Sequence, residues 1–348
     1  MKYRKHLEKF EPYMLPKSSG EGVLKLNLNE SRWGCSPGVL EVLKNARSQD
    51  VCEYPQYDKL VNRIASLRGV SPDRIIVGNG EDDLIHCLAE TFLEPGDTVV
   101  HASPTYPMFP IMSRMKQACV VEVPYGQDLG FPLEKMISVV RDGARMAVIV
   151  NPANPTGGSL GRESIVSVFE ACRKDTVLVL DEAYFHFAGV SHLDLTEKFP
   201  NLIVLNTFSK AYGLAGMRLG YAVSSQANIC EMQKTILPIT VNSMAVSAGI
   251  AAIDDEPFLS RVVRETLTEK KILISELSSF GIRALDTDTN FLLVEFGPAA
   301  DKVHQGLKDE GVLVRDVGKW SQLKGFLRIT VGLREDSERL IAALKKIV

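Results

Sequence analysis

The chain has no run of roughly 18 apolar residues, so nothing in it is expected to span a membrane. Residues Met1–Phe10 are charged and lack the apolar core of a signal peptide. Neither sign of charge dominates: 40 basic against 43 acidic side chains leave a net charge of −3, which gives no incentive to bind nucleic acid. Cysteine is sparse and dispersed. The six (Cys35, Cys52, Cys87, Cys119, Cys172, Cys230) contain no Cys-x-x-Cys pair, which argues against a zinc site or a disulfide framework and fits a reducing cytosol. Internal repeats and low-complexity tracts are also missing. A composition of 45% apolar and 24% charged residues over 348 positions describes a soluble globular chain, long enough for a large domain and a smaller one.

What is present is a series of short apolar runs: Ile75–Val77, Thr98–Val100, Val120–Val123, Met146–Val150, Val177–Leu180, Leu202–Leu205 and Leu219–Val223. They are rich in Val, Ile and Leu without polar alternation, as strands buried on both faces require. Helical patterns separate several of them, such as Glu81–Leu93 and Arg162–Arg173. The sequence therefore predicts an α/β fold with a mostly parallel sheet covered by helices, whose ligands gather beyond the C-terminal strand ends. The boundaries read as an arm over 1–30, a large domain over 31–255 and a small α+β domain over 256–348. The small domain comprises a long helix at Phe258–Phe280, a helix near Ala299–Glu310, apolar runs at Phe291–Phe296, Val312–Val317 and Phe326–Val331, and a last helix from Glu335.

The chemistry-bearing residues fall at those strand ends. Gly78-Asn79-Gly80 turns into a helix start, a geometry suited to anions. Glu81, Asp82 and Asp83 follow, and these oppose a phosphate unless their side chains turn away. Tyr106 stands in a Pro-bounded loop, and Asn154 in a segment whose prolines deny helix and strand alike. Asp181-Glu-Ala-Tyr184 closes the next run. Then comes Thr207-Phe-Ser209-Lys210-Ala-Tyr-Gly-Leu-Ala-Gly-Met-Arg218-Leu-Gly. A lysine between small-residue turns can form a Schiff base with a carbonyl cofactor if desolvated, and the hydroxyls and Arg218 have the chemistry to hold a phosphate. Each feature alone is ordinary turn chemistry; their succession is not. Arg315 and Arg328 lie in or beside apolar runs, and an arginine buried there needs an anionic partner.

Asn154-Pro-Thr-Gly157, Asp181-Glu-Ala-Tyr184 and Ser209-Lys210-Ala…Gly216-Met-Arg218-Leu-Gly resemble the pyridoxal-phosphate aminotransferases of fold type I. Tyr54-Pro, Gly80-Glu-Asp-Asp, Pro104-Thr-Tyr106, Val314-Arg315-Asp and Leu327-Arg328-Ile-Thr-Val-Gly resemble the histidinol-phosphate aminotransferases within it. The resemblance runs from about Tyr13 to the C-terminus. It implies a seven-stranded sheet, pyridoxal 5'-phosphate as cofactor, no metal, a cytoplasmic homodimer, and transfer of an amino group from L-histidinol phosphate to 2-oxoglutarate in histidine biosynthesis.

Residue by residue, the resemblance makes Lys210 the Schiff-base lysine and proton shuttle. Asp181 pairs with the pyridine nitrogen, Tyr184 and Asn154 bond the ring hydroxyl, and Tyr106 stacks on the ring. Gly80, Glu81, Asp82, Thr207, Ser209 and Arg218 hold the phosphate, with Tyr54 reaching it from the other subunit. Arg328 receives the substrate's anionic group, aided by Arg315, Tyr13 and Asn29.

Three departures stand out. Asn29-Glu30 is followed by Ser31, Arg32 and Trp33 where the family has Asn-Pro; Ala153 replaces a second asparagine; and Glu81 replaces a small residue. Because the arm contributes to the family's substrate pocket, Arg32 and Trp33 bear on the amino donor. An aromatic amino-acid aminotransferase and a threonine-phosphate-type decarboxylase share these motifs. A cofactor-binding transcription regulator on this fold would need an extra DNA-binding segment, for which an arm of about 30 residues is too short.

Overall fold

A computed structural model of the chain describes residues 4–13 and 22–348. The strands are β1 (Leu24–Lys25), β2 (Ile75–Asn79), β3 (Thr98–Ser103), β4 (Cys119–Pro124), β5 (Met146–Val150), β6 (Val177–Asp181), β7 (Leu202–Thr207), β8 (Leu219–Val223), β9 (Arg283–Leu285), β10 (Phe291–Glu295), β11 (Val312–Leu313), β12 (Arg315–Asp316) and β13 (Phe326–Thr330). Seven form the main sheet in the order β2-β8-β7-β6-β5-β3-β4, with β8 alone antiparallel to both neighbours.

The apolar runs explain themselves in this sheet. Successive strand residues point to opposite faces. Met146, Val148 and Val150 enter one core with Val177, Val179, Ile203 and Leu205. Ala147 and Ile149 enter the other with Leu178, Leu180, Leu202 and Val204. Both faces are covered by helices, so a polar residue on either side would be buried without water. That is why β5 to β8 carry no alternation.

The second sheet, β12-β13-β10-β9, is antiparallel. Leu273, Leu277, Val303, Leu307, Leu340 and Leu344, from the helices Glu256–Ser279, Ala300–Asp309 and Arg334–Ile347, share its core. The run expected at Val312–Val317 is split. Val312–Leu313 pairs in parallel with Leu24–Lys25, and Arg315–Asp316 pairs instead with β13, so the chain changes partners at Val314. Leu24 and Leu26 sit in the same core as β10 and β13, and Leu26 O accepts from the Thr330 N–H at 2.9 Å. The arm is thus sewn to the smaller sheet, which brings residues 27–30 over the C-terminal ends of the larger one.

Gly220, in β8, lies directly under the turn that starts the helix Glu81–Phe92. A Cβ there would sit 2.7 Å from the Glu81 amide nitrogen and 3.1 Å from Asn206 O, whereas one on Gly216 would meet nothing within 4 Å. Gly220→Ala is expected to lower the unfolding free energy by about 1–3 kcal/mol through this overpacking. Gly216→Ala should stay within about 0.5 kcal/mol of the parent; urea titration of the two variants checks the contrast.

Candidate active site

Strand ends and arm enclose a cavity of about 580 Å³. Its floor is the main sheet: Asp181 ends β6, Thr207 ends β7, and the loops that follow carry Tyr184, Ser209 and Lys210. Tyr106 enters from the loop after β3, Asn154 from that after β5, and Arg218 from the turn before β8. The smaller sheet and arm supply Arg315, Arg328, Asn29 and Tyr13. One sequence candidate stands apart: Tyr54 is 78% exposed and is not part of this cavity within its own chain. A second hollow of similar size runs along the helix Glu256–Ser279, away from Lys210, Asp181 and Arg328.

Lys210 is half-buried, and its ammonium donates to Leu28 O at 3.2 Å. Desolvation first, and the nearby Arg328 second, bring its pKa down to about 8. Asp181 is buried. Its Oδ1 accepts from the Ala183 N–H at 3.0 Å, and burial pushes its pKa up. The phenol of Tyr184 accepts from Asn29 Nδ2 at 2.8 Å, so Asn29 holds Tyr184 in place, and burial raises that phenol to about 12.

The three acidic residues of the glycine turn go separate ways. Asp82 accepts from Arg218 Nη2 at 3.0 Å and from the Tyr106 hydroxyl at 2.6 Å. Asp83 accepts from the Asn79 N–H at 2.9 Å and from Thr240 Oγ1 at 2.7 Å. Glu81 turns inward and is 8% exposed. Gly80, with φ of +81°, permits the turn, and a Cβ there would strike the Arg218 guanidinium at 2.5 Å. Thr207 Oγ1 accepts from the Ser209 N–H at 3.1 Å, and Thr207 and Ser209 line the cavity together with Glu81 and Asp82 of the helix start.

Arg328 departs from the sequence expectation. It is 8% exposed, yet among the described residues it forms no ion pair. Nη1 donates to Asn154 Oδ1 at 2.6 Å, Nη2 donates to Asn27 O at 2.9 Å, and Nε is buried with no acceptor. Arg315 Nη2 lies 3.4 Å from the Tyr13 hydroxyl. The substituted arm residues do not reach the cavity: Arg32 forms a two-point ion pair with Asp336 at 2.9 and 3.0 Å, and Trp33 packs on the small-sheet core. The sequence reading missed Asn27 and Leu28, which act through backbone carbonyls, and Lys319 and Trp320, which line the cavity from an irregular loop.

The lowered pKa of Lys210 can be read directly. In competitive acylation of the cofactor-free protein, Lys210 should reach half its maximal reactivity near pH 8, well below surface lysines. Labelling that rises only in the ordinary lysine range near pH 10.4 would contradict the desolvated amine.

The family "Aminotransferase class I and II" matches residues 21–344. A histidinol-phosphate aminotransferase from a Thermoanaerobacter strain is 36% identical over 93% of both chains. One from Carboxydothermus hydrogenoformans is 34% identical over 99% of both. Among solved structures, the histidinol-phosphate aminotransferase of Sinorhizobium meliloti, in complex with pyridoxal-5'-phosphate, superposes with a TM-score of 0.88 at 30% identity, over 93% of this chain and 90% of that one. A tetra mutant of Thermus thermophilus aspartate aminotransferase shares the fold at 20% identity, with a TM-score of 0.84 over 100% of this chain and 99% of that one. With a seven-stranded sheet presenting a desolvated lysine beside a buried aspartate, and a family match over nearly its whole length, this chain belongs to the class I and II aminotransferases.

Proposed function

We propose that the protein transfers the amino group of L-histidinol phosphate to 2-oxoglutarate, using pyridoxal 5'-phosphate, in histidine biosynthesis. The observation that carries this reading is Arg328: a buried guanidinium without a carboxylate, at the edge of the cavity that holds Lys210. A buried cation left to neutral acceptors favours an anionic ligand. The phosphate of histidinol phosphate and a carboxylate of the oxo acid can each take a planar fork, so one arginine can serve both halves of the cycle.

The donor set suits the cofactor. The Asp181 carboxylate would meet a ring nitrogen, Tyr184 and the amide nitrogen of Asn154 would meet a ring hydroxyl, and Tyr106 would offer a ring face. The Glu81 and Asp82 amides, Thr207, Ser209 and Arg218 would meet a phosphate, whereas the Gly80 N–H already donates to Gly78 O at 2.8 Å. When bound, the cofactor supplies an electron sink for the carbon bearing the substrate's amine. The chain's own work is then proton transfer and orientation. Lys210 Nζ, once free, would take the proton from that carbon and deliver it to the cofactor carbon on the far side of the intervening nitrogen. Its pKa near 8 leaves a useful fraction of neutral amine at neutral pH. Asn29 keeps Tyr184 aligned, and Leu28 O keeps the lysine aimed into the cavity.

The assembly we infer is a homodimer. Tyr54 is exposed, as is Val51 three residues earlier at 74%, a combination that fits burial against a second copy whose phosphate site Tyr54 completes.

With 2-oxoglutarate as acceptor, histidinol phosphate should show a higher kcat/KM than phenylalanine or tyrosine; preference for an aromatic amino acid removes the proposed donor. Carbon dioxide release without oxo-acid consumption would indicate the decarboxylase. Arg328→Ala should lower kcat/KM for both substrates by roughly 100-fold or more. A loss confined to one substrate would contradict the shared anion site. Mixing inactive Tyr54→Ala and Lys210→Ala proteins should restore activity, because a mixed dimer contains one intact site; no recovery after subunit exchange would place Tyr54 outside the partner's site.

A further inference from the structure

Of the three acids at the start of the helix Glu81–Phe92, two are accounted for by partners: Asp82 by Arg218 and Tyr106, Asp83 by Asn79 and Thr240. Glu81 is not. Its side chain is 8% exposed and lines the cavity, and its Oε1 is buried with no hydrogen-bond partner. The carboxyl lies within hydrogen-bonding reach of that of Asp181, at the end of β6. The backbone leaves little freedom to avoid this, because Gly80 and the Glu81 amide are packed against Gly220 of β8.

Two carboxylates this close and this buried cannot both ionise at neutral pH. The geometry decides which one keeps the proton. Asp181 has a backbone N–H donor from Ala183 at 3.0 Å that stabilises its charge, whereas the buried oxygen of Glu81 has no donor. The other charged or titratable groups facing Glu81 do not change this. Lys210, on the loop after β7, is a cation facing it, but its ammonium donates to Leu28 O and makes no hydrogen bond or ion pair with Glu81. Asp82 on its own helix adds negative charge, and Tyr106 and Tyr184 are neutral phenols.

We propose that Glu81 is a positioning residue that keeps its proton and donates it in a hydrogen bond to Asp181. The pair then presents one negative charge, on Asp181, to the cofactor's ring nitrogen and none to its phosphate. The arrangement reconciles an acidic residue at the glycine turn with an anion site: a neutral Glu81 leaves the helix dipole and the first-turn amides free to act, and an ionised one would oppose them. The proposal rests on the cofactor and not on the identity of the amino donor, so its test is independent of the substrate assay.

The cofactor-free full chain should show the infrared carbonyl band of a buried protonated carboxylic acid at pH 7, absent from Glu81→Gln. Equilibrium dialysis with pyridoxal 5'-phosphate supplies the second readout. Wild type and Glu81→Gln, which keeps a neutral donor, should bind within about twofold of one another wherever the wild-type band is present, and differ by about tenfold, wild type weaker, at any pH where it is lost. Glu81→Ser, smaller and also neutral, should share the pH profile of Glu81→Gln and guards against a folding defect peculiar to glutamine. Absence of the band at pH 7, or a tenfold difference between wild type and Glu81→Gln while the band persists, would overturn the proposal.

Discussion

The site is organised by buried charge that the protein does not neutralise for itself. Lys210 and Arg328 are two cations in one cavity, and Arg328 lowers the pKa of Lys210. Their polar contacts are carbonyls of Leu28 and Asn27 and the amide of Asn154, not carboxylates. Neutral acceptors offset part of the desolvation of an ammonium or guanidinium but leave its field intact. The cavity therefore carries positive potential on the small-sheet side and, at Asp181 and Glu81, an acidic pair on its floor. A ligand with an anionic arm at one end and a protonated ring nitrogen at the other satisfies both. Stability is given up in the free protein so that binding energy can be gained where the chemistry occurs.

That arrangement persists because three distant parts of the chain are tied together over the strand ends. Asn290 Nδ2 donates to Asn29 O at 3.0 Å, the Asn29 N–H donates to Thr330 Oγ1 at 3.0 Å, and the Asn29 amide holds Tyr184. The loop before β10 is fixed in turn by Lys270, a buried ammonium that donates to the Thr287 and Thr289 carbonyls and lies 3.2 Å from Asp286. The same loop donates from the Asp288 N–H to Gly157 O at 2.8 Å, beside the turn that carries Asn154. Removing any tie would loosen Tyr184, Asn154 and Arg328 together. Displacements well short of a side chain's length at such a site cost rate.

Much of this was legible in the sequence because two-faced burial leaves no room for ambiguity. The apolar runs of β5, β6 and β7 read as strands covered on both sides and are so, whereas the run of β4 looks the same but lies at the sheet edge with only Val123 buried. The residues at the C-terminal ends of the parallel strands converge with Arg218, which precedes the antiparallel β8. What was not legible depended on partners far away in sequence. The run 312–317 looks continuous, but its first half finds an arm strand about 290 residues earlier and its second half finds β13. Arg32 looks like a change in the substrate pocket, but Asp336, 304 residues on, draws it away. Asn27 and Leu28 act through carbonyls, which carry no side-chain signature at all. Of three adjacent acids, sequence cannot say which is buried; in the structure it is Glu81, whose amide is packed against Gly220.

The departures from the family pattern therefore separate into those that reach the cavity and those that do not. Arg32 and Trp33 are absorbed by the small-sheet side, and Ala153 packs with Ala102 and Tyr125. What faces the outer half of the cavity is Arg315, Tyr13, Lys319 and Trp320. Lys319 Nζ lies 4.2 Å from the Trp320 ring centroid, and its pKa is lowered by desolvation and by Arg315. Two mutually repelling cations held at one rim are stabilised by a ligand bearing two negative charges more than by one bearing a single charge. An indole beside them offers a flat face to an aromatic ring. A phosphate dianion joined to an imidazole fits that rim on both counts. Phenylalanine or tyrosine, with one carboxylate, would leave one of the cations unmatched.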